Sequence, residues 1–221
     1  MKVMIDSDLK NRWPEIALGM IQCEGVCASK ETTALWNDLS VFAEVLARRI
    51  DSTEAIGTCP AIAATRNAYR AFGKDPSRYR GSAEALMRRV VQQRSLYRVN
   101  MIVDLNNYVS LLSELPVGSY DVGRIKGDVV FRLGHPGESY EGIGKGRVNL
   151  ELLPVFADDN GPFGSPTSDS QKMMITAHTE QVLMVIISFG GLTQPMSEIL
   201  MKAQGILQTY AAPEATHTWV I

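Results

Sequence analysis

Along the chain, apolar positions recur at helical spacing in the first half and in alternating or continuous runs in the second. Over residues 15–26 the run Ile16-Ala17-Leu18-Gly19-Met20-Ile21 follows the break at Pro14 and predicts a buried strand. Over 29–50, Leu35, Leu39, Phe42, Val45 and Leu46 recur at threes and fours while Glu31, Asp38 and Glu44 face outward, which predicts a helix. Thr58-Cys59-Pro60 opens another, with Thr58 as N-cap and Pro60 in the first turn; it runs to about Phe72 and stops at Gly73. After the turn Lys74-Asp75-Pro76, Ser82 opens a short amphipathic helix (Ala85, Leu86, Val90) whose outer face carries Arg88, Arg89 and Arg94. Over 100–115 Ile102, Leu105, Val109 and Leu112 repeat at helical spacing and bring Asn106, Asn107 and Ser110 close to one another. Pro116-Val117-Gly118-Ser119 ends that helix.

From Tyr120 the pattern changes. Val129-Val130-Phe131-Arg132-Leu133 and residues 148–156 read as strands with glycine turns between them, and 158–170 reads as a Gly/Pro/Ser/Asp loop. Residues 181–189 are apolar on both alternating faces, so the run belongs at the centre of a sheet covered on both sides. Residues 196–210 return to helix. The pattern predicts an α+β protein, a helical N-terminal half packed on a mixed or antiparallel β-rich half around one core. A single domain spans 1–221, with 1–59 supplying its first strand and helix.

Composition narrows the class. At 45% hydrophobic and 21% charged residues the chain is neither disordered nor low-complexity. Its longest apolar run, 182–192 with Ser188 inside, falls short of the roughly 18–20 residues a membrane span needs. Asp6 and Asp8 stand where a signal peptide would be apolar, so a soluble, cytoplasmic protein without a membrane partner is expected. Cys23, Cys27 and Cys59 have no framework spacing, and His135, His178 and His217 are scattered. No metal site and no cofactor are expected, and the oligomeric state stays open.

Charge is unevenly spread. Residues 66–98 hold nine basic side chains against Asp75 and Glu84, on a chain of formal net charge −2. Eight of the nine are arginines, whose planar guanidinium suits phosphate oxygens. The block reads either as a polyanion-binding face or as a solvated helical surface. On the first reading Arg66, Arg70, Arg78, Arg80, Arg88 and Arg89 grip the phosphates of a polyanion as one continuous face.

Motifs for chemistry are sparse. Gly142-Ile143-Gly144-Lys145-Gly146 lacks the strand-before, helix-after setting of a phosphate loop and reads better as a hairpin turn. Two polar clusters remain: Asp104 with Asn106 and Asn107, and the loop 161–170. Asp104 reads as a structural bridge, Asn107 as either pocket or packing, and Asp169 and Ser170 as either site residues or turn formers.

The run Lys74-Asp75-Pro76-Ser77-Arg78-Tyr79-Arg80, then Ser82-Ala83-Glu84-Ala85-Leu86, begins a longer pattern. It continues in the segment from Arg98 to Ser110, with its core Val103-Asp104-Leu105-Asn106-Asn107-Tyr108-Val109, in Leu115-Pro116-Val117-Gly118-Ser119-Tyr120-Asp121, and in Thr167-Ser168-Asp169-Ser170. Across about residues 60–190 the chain resembles the tRNA-editing domain of the phenylalanyl-tRNA synthetase β subunit, without that enzyme's aminoacylation or anticodon-binding parts. The resemblance implies a pocket for an amino acid on the 3′ end of tRNA, as in the synthetase domain that hydrolyses tyrosine wrongly attached to the phenylalanine tRNA.

Carried over by position, the family's Thr-Asn pair falls on Asn106 and Asn107, its histidine on Gly118 and its loop carboxylate on Asp169. The resemblance thus implies Asn106, Asn107 and Asp169 as catalytic residues and Gly118, Ser165, Thr167 and Ser170 as substrate-binding ones. Asn106 departs from threonine and Gly118 lacks an imidazole, so neither the amino-acid specificity nor a histidine base carries over. An activated ester needs only a positioned water and a stabilised oxyanion, which the Asn amides and loop N–H groups can supply while Asp169 orients water or ammonium. Gly118 is expected to leave an open space in the pocket wall. The expected function is hydrolysis of mischarged aminoacyl-tRNA in trans, with the aminoacylated 3′ end as partner. A tRNA- or amino-acid-binding module without chemistry and an unrelated hydrolase are the alternatives.

Overall fold

The computed structural model describes residues 1–28 and 32–221. In chain order its elements are β1 (Val3–Ile5), α1 (Ser7–Arg12), β2 (Ala17–Glu24), α2 (Thr33–Arg49), α3 (Pro60–Ala71), α4 (Ser82–Val91) and α5 (Met101–Ser113). Then come β3 (Val117–Asp121), β4 (Val129–Leu133), β5 (Ser139–Gly142), β6 (Gly146–Asn149), β7 (Pro154–Asp158), β8 (Gly161–Gly164), β9 (Gln181–Ser188), α6 (Met196–Tyr210) and β10 (Ala215–Val220). The fold is α+β. One sheet is antiparallel in the order β10-β2-β9-β3. A second, mixed sheet runs β1-β4-β7-β8 with only β1 and β4 parallel, and β5-β6 forms a separate hairpin.

The run at 181–189 is an interior strand, as its two apolar faces require. Val182, Met184 and Ile186 point into a cluster with Ile102, Leu105 and Val109 of α5 and Ile199, Ala203 and Leu207 of α6. Leu183, Val185 and Ile187 point the other way, against Phe131, Phe156, Phe163 and Tyr120. The first sheet is therefore sandwiched between helices and the second sheet. A third apolar cluster, with Leu39, Ile62, Met87 and Leu111, joins α2, α3, α4 and α5 to one another.

Several boundaries differ from the expectation. The helix expected over 29–50 is Thr33–Arg49; its expected start at Ser29 and the outward Glu31 lie outside the described residues. Thr58 does not cap α3: it closes a 3-10 turn, its hydroxyl bonded to the Ala55 carbonyl, and Cys59 is the cap residue. Val117–Asp121 is a strand, not a helix-ending turn, because pairing with β9 outweighs the weak propensity of its Gly and Ser. The apolar run at 148–156 splits where Leu152 adopts a positive φ of 58°. Its two parts belong to β6 and β7. The loop at 158–170 contains β8, folded back on β7. The glycine motif at 142–146 is a hairpin turn between β5 and β6, as its setting suggested.

Ile186→Ala and Ile187→Ala remove buried methyl groups on opposite faces of β9. Each is expected to lower the unfolding free energy by about 2–5 kcal/mol in urea titrations, whereas Val220→Ala, on a half-exposed position, stays within about 0.5 kcal/mol of the parent.

Candidate functional site

The helical α4 ends in an irregular segment, and α5 lies beside it. Together with the β5–β6 turn and the loop after β8 they enclose an open cavity of about 650 Å³. Arg80, Arg88, Arg89, Arg94 and Lys145 line it, and among the described residues no carboxylate does. Asn106 and Asn107 of α5, Ser82 of α4 and Thr167 of the loop add neutral hydrogen-bonding groups.

A buried carboxylate arranges the arginines. Glu84, 2% exposed, lies on the inner face of α4 one turn from both Arg80 and Arg88. Its carboxylate is 2.9 Å from Arg88 Nε, 3.3 Å from Arg80 Nε and 3.9 Å from Arg66 Nε. Burying a lone carboxylate is costly, and one carboxylate among three guanidinium groups leaves a surplus of positive charge. The buried Nε atoms of Arg66 and Arg80 make no hydrogen bond among the described residues. Arg89 bonds the Ser95 carbonyl through Nε and lays its guanidinium 4.0 Å from the Tyr97 ring centre.

The arginines expected to bind RNA are therefore not one continuous face. Arg80, Arg88 and Arg89 reach the cavity. Arg66 of α3 is half-buried beside Glu84 and does not reach the lining. Arg70 and Arg78 are exposed outside the lining, Arg70 holding Asn67.

The two asparagines differ in role. Asn106 donates to the Val117 carbonyl at 3.1 Å and accepts from Ser119 Oγ at 2.9 Å, so it ties α5 to β3. Asn107 has no such bond among the described residues and lies at the cavity. Asp104 is a bridge, accepting from Trp36 Nε1 at 2.7 Å and from the Val99 amide at 3.0 Å.

The loop residues are largely turned inward. Ser165 Oγ donates to the Ser168 carbonyl at 2.7 Å and accepts from the amides of Thr167 and Ser168. Ser170 caps a 3-10 turn by accepting from the Lys172 amide. Asp169 Oδ1 accepts from the Tyr120 hydroxyl at 2.9 Å and the Ser165 amide at 3.2 Å, so it sits behind the cavity wall and not in it. Burial pushes its carboxyl up to about 6, against the lowering effect of those two bonds and of Lys145. Burial likewise holds the Lys145 ammonium below its ordinary range, Asp169 opposing. Lys145 itself is exposed on the hairpin but tucks Nζ against the Thr167 carbonyl at 3.2 Å.

The open space expected at Gly118 is absent. A Cβ there would meet the Tyr120 hydroxyl oxygen at 2.3 Å, and one at Gly164 would meet it at the same distance. Gly118 and Tyr120 share the face of β3 that packs on the second sheet, while Val117 and Ser119 face Asn106. Tyr120 therefore fills the slot, and Gly118 lies across the sheet from the asparagines. The structure brings together Asn106, Asn107, Thr167 and three arginines; it keeps Gly118, Ser165, Asp169 and Ser170 behind them. Lys145, Arg94 and Tyr97 were not singled out as site residues. The Gly-Lys-Gly turn and an aromatic inside the basic block were the available signals.

The sequence matches the B3/4 domain over residues 64–195. It is similar to the phenylalanine–tRNA ligase beta subunit of Cutibacterium acnes, 30% identical over 97 residues that make 43% of this chain and 12% of that protein. It also aligns with an N-terminal fragment of the phenylalanyl-tRNA synthetase beta subunit from Pyrococcus horikoshii over 99% of this chain and 50% of that one, at a TM-score of 0.46 and 13% identity. The chain thus spans only a small part of the first and half of the second.

Because the folded chain binds the Asp169 proton more tightly than the unfolded chain does, ionising it costs stability. That contribution is complete below roughly pH 4, the ordinary carboxylate value, and is lost as pH rises through about 6. Asp169→Asn should flatten this slope, so urea midpoints of parent and variant diverge between pH 4 and 6; parallel curves would show an ordinary carboxylate.

Proposed function

The chain belongs to the B3/4 domain family, and from that premise we propose that it binds tRNA through the arginine-lined cavity and hydrolyses mischarged aminoacyl-tRNA in trans. The observation that carries this reading is the cavity itself: around the Asn107 amide stand five cationic side chains and, among the described residues, no carboxylate. We take the whole chain as one working unit of the cytoplasm, where aminoacyl-tRNA is made.

Arg80, Arg88 and Arg89 hold the phosphates of the acceptor end; Glu84 behind Arg80 and Arg88 offsets only part of their charge. Asn107 donates to the ester carbonyl. Water adds to the carbonyl carbon, the bond to the ribose oxygen breaks, and that oxygen leaves with the proton. Lys145 adds positive potential where the oxyanion forms and holds the loop at Thr167. Asn106 is a positioning residue that sets α5 against β3. Asp169 is another, acting through Tyr120, Ser165 and Lys145.

A binding module without chemistry is the second reading. Tyr120 in the Gly118 slot favours it, since no imidazole stands there. A panel of aminoacylated tRNAs under single turnover separates the two: accelerated loss of one or a few amino acids supports hydrolysis, and protection of the ester supports the module.

Asn107→Ala is expected to slow deacylation at least tenfold, about 1.4 kcal/mol, with tRNA affinity nearly unchanged. Arg88→Glu with Arg89→Glu should weaken tRNA binding and reduce its salt dependence, while Arg70→Glu with Arg78→Glu does so much less. Equal effects of the two pairs in a salt titration would show that the cavity is not the phosphate site.

A further inference from the structure

Tyr97 is the outlying feature of the cavity. Its side chain is 66% exposed in the irregular segment after α4, yet it lies in the lining. Large exposed aromatics among arginines are the elements from which single-stranded nucleic acid sites are built. One face of the ring is covered by the Arg89 guanidinium, 4.0 Å from the ring centre. Arg89 is in turn fastened to the Ser95 carbonyl, two residues before the ring it supports. The platform is thus formed before any ligand arrives, and a cation on one face of the ring costs a neutral base little on the other.

The surroundings fit a nucleotide. Gln92 and Asn107 carry amides at the same cavity, able to donate to and accept from a base edge. Arg94 and Lys145 supply charge for the flanking phosphates. A cavity of about 650 Å³ can take a nucleotide, but only one whose base is unpaired and unstacked.

Building on the tRNA reading above, we propose that Tyr97 is the stacking platform for an unpaired base at an RNA 3′ end, so that the cavity selects single-stranded ends over duplex.

The test uses the full chain and a short oligoribonucleotide carrying 2-aminopurine at its 3′ terminus, with a blunt RNA duplex as competitor. The expected result is quenching on binding, abolished by Tyr97→Leu and kept by Tyr97→Phe, with the salt dependence of affinity unchanged in both and little competition from duplex. Unaltered quenching in Tyr97→Leu, or equal competition by duplex, overturns the proposal. Far-ultraviolet circular dichroism and urea midpoints of the variants confirm folding, which an exposed side chain should not disturb. Deacylation that persists in Tyr97→Leu at the parent rate removes the stacking site and leaves the hydrolase reading standing; loss of all tRNA binding by the parent protein removes both.

Discussion

A strand with apolar side chains on both faces must be covered twice, and β9 imposes that demand on the whole chain. Its two sets of side chains recruit α5 and α6 on one side and the second sheet on the other. Covering it brings α5 over β3, the edge strand beside it, and so presents Asn106 and Asn107 at the rim of the sheet. The loop after β8 arrives at the same rim because β8 belongs to the covering sheet. Residues separated by some sixty positions in the chain meet at Thr167 and Asn107 for this reason alone.

Electrostatics follows the same economy. Three arginines share one interior carboxylate, so α4 carries both an anchored inner face and an unneutralised outer one. A surface ion pair of this length would add little to stability. Glu84 is nearly fully enclosed, and its replacement by a neutral group would leave three cations facing each other across two helices. Glu84 thus fixes Arg80 and Arg88 at the cavity, while Arg89, Arg94 and Lys145 add charge that it does not pair.

Much of this was legible from spacing. The interior position of β9, the helix Met196–Tyr210 and the hairpin at 142–146 followed from periodicity and turn chemistry. Strands β1 and β10 did not, being a three-residue segment and a polar edge strand whose register comes from partners far along the chain. At the site, Asn107, Thr167 and three arginines line one cavity, a convergence that only the resemblance implied, since nothing local in the sequence forces it. The inward turn of Asp169 was hidden, because nothing local in Thr167-Ser168-Asp169-Ser170 says that a tyrosine hydroxyl fifty residues away will claim the carboxylate. The internal use of Arg66 was hidden likewise, since charge counts carry no information about burial.

Tyr120 lies over two glycines at once, Gly118 and Gly164, and donates to Asp169. This triple engagement couples what positions 118, 120 and 164 can hold. A side chain at 118 meets the buried Tyr120 ring first, so no imidazole fits there unless Tyr120 gives way. Shrinking Tyr120 first would open the slot but strip Asp169 of its hydroxyl partner and unsettle the loop that ends at Ser170. Positions 118, 120 and 164 therefore constrain one another: a larger residue at either glycine calls for a smaller one at 120.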